Sequence, residues 1–250
     1  MFDNDVFAAD PRVRWEAAQR TLAGHGQGLR EQIRVSFEGW PKYWWGVANA
    51  WLVFLGPSPG NSKAKPIDWD RERWPTLGEP HEHFVSQVDS TGFWPRMRQW
   101  TVNAYALAGV FVDDPEAAIG STLLANVLDT REGDAGKIDD ASLVQAMPTT
   151  VAQLSVVRPR LIVPMEKRIT RLLLDELTRE GSRILSGPSK IPVPALNQRY
   201  PFYRPAGWEV MAPFGRLTIA ESPQHPSKRN FYDPAIVDRY LSDKIQGCLS

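Results

Sequence analysis

Three short segments put side chains with usable chemistry directly after apolar runs. Gly56-Pro57-Ser58-Pro59-Gly60 follows Trp51-Leu52-Val53-Phe54-Leu55, and Asn126 ends Thr122-Leu123-Leu124-Ala125. Gln224-His225-Pro226-Ser227-Lys228-Arg229-Asn230 comes soon after Leu217-Thr218-Ile219-Ala220. The first segment carries a hydroxyl, Ser58, on a loop whose glycines permit tight turning and close approach of a ligand, while its prolines stiffen it. Serine is a poor general base at neutral pH, so Ser58 can orient a water molecule but not deprotonate it. The second carries a carboxamide, one acceptor with a pair of donors. The third carries an imidazole, able to donate where negative charge develops, with two cations close behind. Lys63 and Lys65 are further cations able to hold phosphates.

The elements that must position these groups follow from periodicity. Uninterrupted apolar runs bounded by glycine and proline read as strands buried on both faces, as in a parallel sheet. Leu161-Ile162-Val163 is a fourth run of this kind. Helical spacing lies between the strands. Trp94, Met97, Trp100, Ala104 and Leu107 precede the second, and Val151, Leu154 and Val157 precede the third. Ile169, Leu172, Leu173 and Leu177 follow it and stop at Gly181. Alternation of strands and helices predicts an α/β fold, a three-layer α/β/α arrangement around a central, mainly parallel four-stranded sheet, as one domain over residues 1–250. Asp10-Pro11 marks a helix start, with a helix to about Leu22, a second over about Leu29–Phe37, and a last one over Pro234–Ile245. Residues 61–93 and 186–210, rich in proline and aromatics, are expected as ordered loops or short extra strands. Ligands of open parallel sheets bind beyond the carboxyl ends of the strands. The amide, the imidazole, the hydroxyls and the glycine-proline loop should therefore meet on one rim.

Composition narrows the classes of function. Lysine plus arginine (29) equals aspartate plus glutamate (29), which argues against a protein that coats DNA non-specifically and leaves room for a local basic patch. A lone cysteine, Cys248, permits neither an internal disulfide nor a cysteine-based zinc site. The start, Met1-Phe2-Asp3-Asn4-Asp5, has no signal-peptide pattern. No apolar run nears the roughly 18 residues of a membrane span. A cytoplasmic monomer without a cofactor is expected. His81-Glu82-His83 has i, i+2 spacing and no visible third ligand, so no metal site is expected there.

The ordered set of motifs resembles the uracil-DNA glycosylase superfamily. Gly56 to Gly60 is similar to that family's Gly-x-x-Pro-Gly loop, Leu123-Leu124-Ala125-Asn126 to its strand-ending asparagine, and His225-Pro226-Ser227 to its His-Pro-Ser loop. The continuation Lys228-Arg229-Asn230 is similar to the single-strand-selective branch, and Pro159 to Val163 to the family's Pro-x-x-Ile-Val strand. The likeness covers roughly residues 50 to 232. It implies a pocket for a flipped-out base, with DNA, single- or double-stranded, as the partner. Asn126 would read N3–H and O4 of uracil, and His225 would stabilise charge at O2. Gly56 and Gly60 would shape the pocket, and Phe93 or Trp94 would stack on the base. Lys63, Lys228 and Arg229 would hold DNA, with Arg229 or Lys228 filling the duplex gap. Active members place Asp, Asn or Glu in the first loop to activate water, where this chain has Pro57 and Ser58. Asp129 and Glu221 are the nearby carboxylates that could substitute. Gly60 stands where some members exclude 5-methyl groups with tyrosine, so a larger 5-substituent could enter.

Each residue also has a plainer reading. His225 could cap backbone groups, Asn126 could satisfy a strand-end carbonyl, Gly56–Gly60 could be only a turn, and Lys228-Arg229 only a solvated face. Phe93, Trp94, Trp100, Trp44 and Trp45 could all be core. Three functions stay open on these grounds. One is a monofunctional DNA glycosylase acting on uracil or a modified pyrimidine. Another is a non-catalytic nucleobase-binding module with the same pocket. The third is unrelated chemistry on the same fold.

Overall fold

The structure is a computed structural model that describes residues 44–46, 50–58, 93–128, 138–190, 205–226 and 233–249. Strand β2 (Leu52–Gly56) explains its layering. Leu52 and Phe54 enter one core, Val53 and Leu55 another. Side chains alternate across a strand, so a single apolar run feeds two cores when both faces are covered. The strands β3 (Thr122–Asn126), β4 (Leu161–Pro164) and β7 (Gly215–Ala220) behave alike. Leu124, Leu161, Val163 and Ala220 join the first core; Leu123, Ala125, Ile162, Leu217 and Ile219 join the second.

Helices α1 (Phe93–Leu107), α2 (Pro115–Gly120) and α5 (Pro234–Leu249) cover the first face, through Met97, Trp100, Ala118, Ile119, Val237 and Leu241. Helices α3 (Asp140–Val157) and α4 (Lys167–Arg179) cover the second, through Leu143, Met147, Leu154, Ile169, Leu173 and Leu177. The expected α/β arrangement with helices on both faces is present. Near the edge of the first core, Cys248 of α5 donates its thiol to Thr218 Oγ1 at 3.2 Å. Burial pushes that thiol's pKa up.

The sheet is larger than the four strands expected. Its order is β1-β3-β2-β4-β7-β6-β5, seven strands among the described residues. The four expected strands form its parallel centre, with registers Leu52↔Thr122, Leu52↔Leu161 and Leu161↔Thr218. Antiparallel strands flank them: the two-residue β1 (Trp45–Gly46) on one side, β6 (Ala206–Ala212) and β5 (Arg183–Lys190) on the other. The last two occupy part of the stretch expected to be loops or short strands. Their pattern is faint for a physical reason. Residues 183–189 are exposed on both faces, and the β5–β6 register shifts twice, so no inside-outside alternation develops.

The ends of α3 are set by caps rather than by apolar spacing. Asp139 accepts from Ser142 N at 2.6 Å and starts α3 well before its first expected apolar position, Val151. Arg158 ends it in a left-handed conformation, φ 52°, donating to Leu154 O. Leu107, expected on the buried stripe of α1, is 57% exposed at the last position of the helix. Helix α5 continues to Leu249, four residues past the expected end. The helices expected over 10–22 and 29–37 lie outside the described residues. No described helix is long and apolar enough to cross a membrane.

Candidate functional site

The chain order puts a topological switch point at the carboxyl ends of β2 and β4. These strands are hydrogen-bonded neighbours, yet the next described helix after β2, α1, lies on the first face and the helix after β4, α4, on the second. Neighbouring strands whose connections leave in opposite directions form the switch point at which open α/β sheets bind ligands.

Asn126 lies on the first face of this rim. It alternates with Thr122 and Leu124, and Thr122 Oγ1 donates to Ala118 O of α2 at 2.9 Å. Its register partner on β2 is Gly56. The carboxamide Oδ1 lies so close over Gly56 that a Cβ there would meet it at 2.8 Å. Glycine is therefore needed at 56 for close approach. Trp44 fixes Asn126 from behind, its indole Nε1 donating to the Asn126 carbonyl at 2.8 Å. The ladder then runs one step past the strands: Val127 N donates to Gly56 O and Leu128 N to Pro57 O, each at 3.0 Å. Pro57 is buried and Ser58 half-buried beside it.

The loop after β7 brings His225 to the same face. Ser222 N donates to Pro164 O at 2.9 Å, which ties the loop to the end of β4. Two strand spacings, about 10 Å, separate β4 from β3 and Asn126. Tyr240 of α5 donates its hydroxyl to Glu221 O at 2.8 Å, and Ser222 Oγ donates to Gln224 O at 2.6 Å. The half-buried His225 ring lies against Phe93, centroids 5.9 Å apart and planes tilted by 41°. Arg96 Nη1 donates to Pro226 O. Phe93 also packs at the edge of the first core. Of the residues expected at the site, Gly56, Asn126, Phe93 and His225 thus share one face and rim, with Ser58 on the adjoining loop. Phe93 is placed to support the imidazole, a use its expected stacking on a base did not include.

Glu221 does not stand in for the missing carboxylate. Following the alternation of Leu217 and Ile219, it turns to the second face, where its Oε2 accepts from Ala206 N at 3.0 Å. Burial raises its pKa; the Ala206 N–H bond, the Lys167 charge and the Thr170 hydroxyl oppose that rise. Its carboxyl is occupied by the Ala206 N–H of β6. Gly60, Lys63, Lys65, Asp129, Lys228, Arg229, the pair His81 and His83, and the Trp94 side chain lie outside the described residues. Among the described residues no cluster of three histidine, cysteine, aspartate or glutamate side chains could hold a metal.

Arg96 and Trp44 belong to the site but were not legible as such. Arg96 acts on a backbone carbonyl 130 residues away, and no motif encodes such a contact. Trp44 was one aromatic among many and carries its signal only once β1 pairs with β3. No protein-family model matches the chain, and no curated protein matches it in sequence.

Proposed function

We propose that this rim takes a flipped-out uracil or 5-modified pyrimidine from DNA and hydrolyses its N-glycosidic bond, in the manner of the uracil-DNA glycosylase superfamily. The observation that carries the proposal is the placement of the Asn126 amide over Gly56 and of the His225 ring against Phe93, on one face of the sheet at its carboxyl ends. An amide held against a strand that lacks a Cβ suits the edge of a planar base. An imidazole with its ring supported suits a fixed donor aimed at developing charge. In this reading the bond from the sugar C1′ to the base breaks, and its electron pair leaves with the base. His225 stabilises the charge at O2 while Asn126 reads N3–H and O4. A water placed with help from Ser58 adds to C1′ and loses its proton to solvent. Lys63, Lys228 and Arg229 hold the strand. Single-turnover cleavage of labelled single- and double-stranded oligonucleotides carrying uracil or 5-modified pyrimidines tests this, and cleavage of none of them refutes it.

A second reading is favoured by one feature. Pro57 and Ser58 supply no carboxylate and Glu221 faces the other way, so the same pocket suits capture of a base without cleavage. Tight, salt-sensitive binding to a base-modified strand without release of the base would select that reading.

A further inference from the structure

We propose that the first turn of α1 is the device that sets the His225 imidazole, with Arg96 as its positioning residue. The inference rests on the reading that His225 works at this rim, and it adds the part that holds the residue in place. The loop after β7 is tied to the sheet and α5 at its start, with Glu221 N donating to Ala206 O, Ser222 N to Pro164 O and Tyr240 to Glu221 O, and Ser222 Oγ donates to Gln224 O within it. Helix α1 reaches the next two residues. Phe93 meets the His225 ring, and Arg96 holds the carbonyl of Pro226. Phe93 and Arg96 are three apart and so lie on one side of the helix. They grip two consecutive loop residues from one turn.

The chemistry of each part suits the task. Proline has no N–H, so its carbonyl is the only backbone group at 226 that can be tied. A guanidinium makes a charge-assisted bond from a planar, preorganised fork. The helix behind it is anchored by Met97 and Trp100, both buried in the first core. A functional side chain on a loop needs placement to within about 0.5 Å and 10–20°, and an aromatic support together with a carbonyl anchor one residue on restrains both position and tilt. Arg96 touches no reacting atom in this scheme and acts through His225.

The test uses the full chain with isotope-labelled histidine, the His225 ring signals being assigned by their loss in His225→Gln. In the parent, the Phe93 ring current displaces these signals from their free-histidine positions. Arg96→Ala should return them towards the free values and broaden them, while the thermal unfolding midpoint and the tryptophan emission stay those of a folded chain. Arg96→Lys should restore them in part. Should Arg96→Ala not fold, Arg96→Met, which keeps the apolar stem but has no N–H donor, gives the same reading. If the parent cleaves a base, Arg96→Ala should lower kcat about 10- to 100-fold, with KM within about threefold, since misplacement of a catalytic group is felt in the transition state. His225 signals identical in Arg96→Ala and parent would overturn the inference. An inert parent would remove the glycosylase reading alone, because the ring signals still decide what Arg96 does.

Discussion

Gly56→Ala isolates the amide of the site from the rest of the protein. The added Cβ would sit 2.8 Å from Asn126 Oδ1, while the next neighbour, Ala125 O, is at an ordinary 3.8 Å. Normal contact begins near 3.4 Å, so the amide must retreat by 3.4 − 2.8, about 0.6 Å, beyond the roughly 0.5 Å that a functional group tolerates. The group obliged to move is the end of a side chain, and Gly56 is not in the left-handed region. Alanine at such a position commonly stabilises by about 0.4–1 kcal/mol through the unfolded chain. The urea midpoint should therefore hold or rise slightly. A displaced amide that reads a base with two hydrogen bonds forfeits about 1–3 kcal/mol, roughly five- to 150-fold in affinity at about 1.4 kcal/mol per tenfold. Titration of a fluorescent uracil-containing single strand, beside urea unfolding, reads both quantities. Unchanged affinity in a folded variant refutes Asn126 as the base reader. An unfolded variant refutes the assignment of the crowding to a side chain.

Four other outcomes are expected. His225→Ala should abolish cleavage, and Ser58→Asp should raise the single-turnover rate on uracil by supplying the absent base, a group commonly worth about 10²–10⁴-fold; authentic activity surviving His225→Ala would remove the mechanism. Trp44→Phe keeps an aromatic ring in the second core but leaves a void and strips the donor from the Asn126 carbonyl, so urea unfolding should show a loss of at least about 1–3 kcal/mol together with weaker base binding. Asp238, between α1 and α5, has its pKa raised by burial, against an Asn103 Nδ2 bond at 2.8 Å and with Asp233 adding to the rise. A raised folded pKa means that its contribution to stability is complete below the unfolded value of 3.8 and is lost as pH climbs through the folded one. Urea midpoints measured from pH 4 upward should fall less steeply in Asp238→Asn than in the parent, and parallel curves would show that Asp238 does not titrate on unfolding.

The parts of the fold legible in the sequence are those whose burial is two-sided. Leu52 to Leu55 and Leu161 to Val163 are apolar at every position because both faces are covered, so the parallel centre stands out. Strand β5 is exposed on both faces, and its Gly187-Pro188 interrupts any pattern, so only pairing with β6 makes it a strand. The site divides in the same way. Asn126 and His225 were visible because each follows an apolar strand, and strand ends converge in this topology. The Arg96 bond to Pro226 O and the turning of Glu221 to the far face depend on alternation and helix phase, and single-residue phase cannot be read before the register is known.

Cys248 turns the last helix into its own reporter. Its thiol is the chain's only one, is 8% exposed and bonded to Thr218, and has a raised pKa. The thiolate is the reactive form, so alkylation in the native state must wait until α5 lifts from β7. A labelling rate measured on the folded chain would then count excursions of that helix from the sheet, in the way that amide exchange counts local openings. Helix α5 also holds Glu221 O through Tyr240 and packs beside α1. One covalent tag thus follows the loosening of the layer that frames His225, without a substrate and without a mutation.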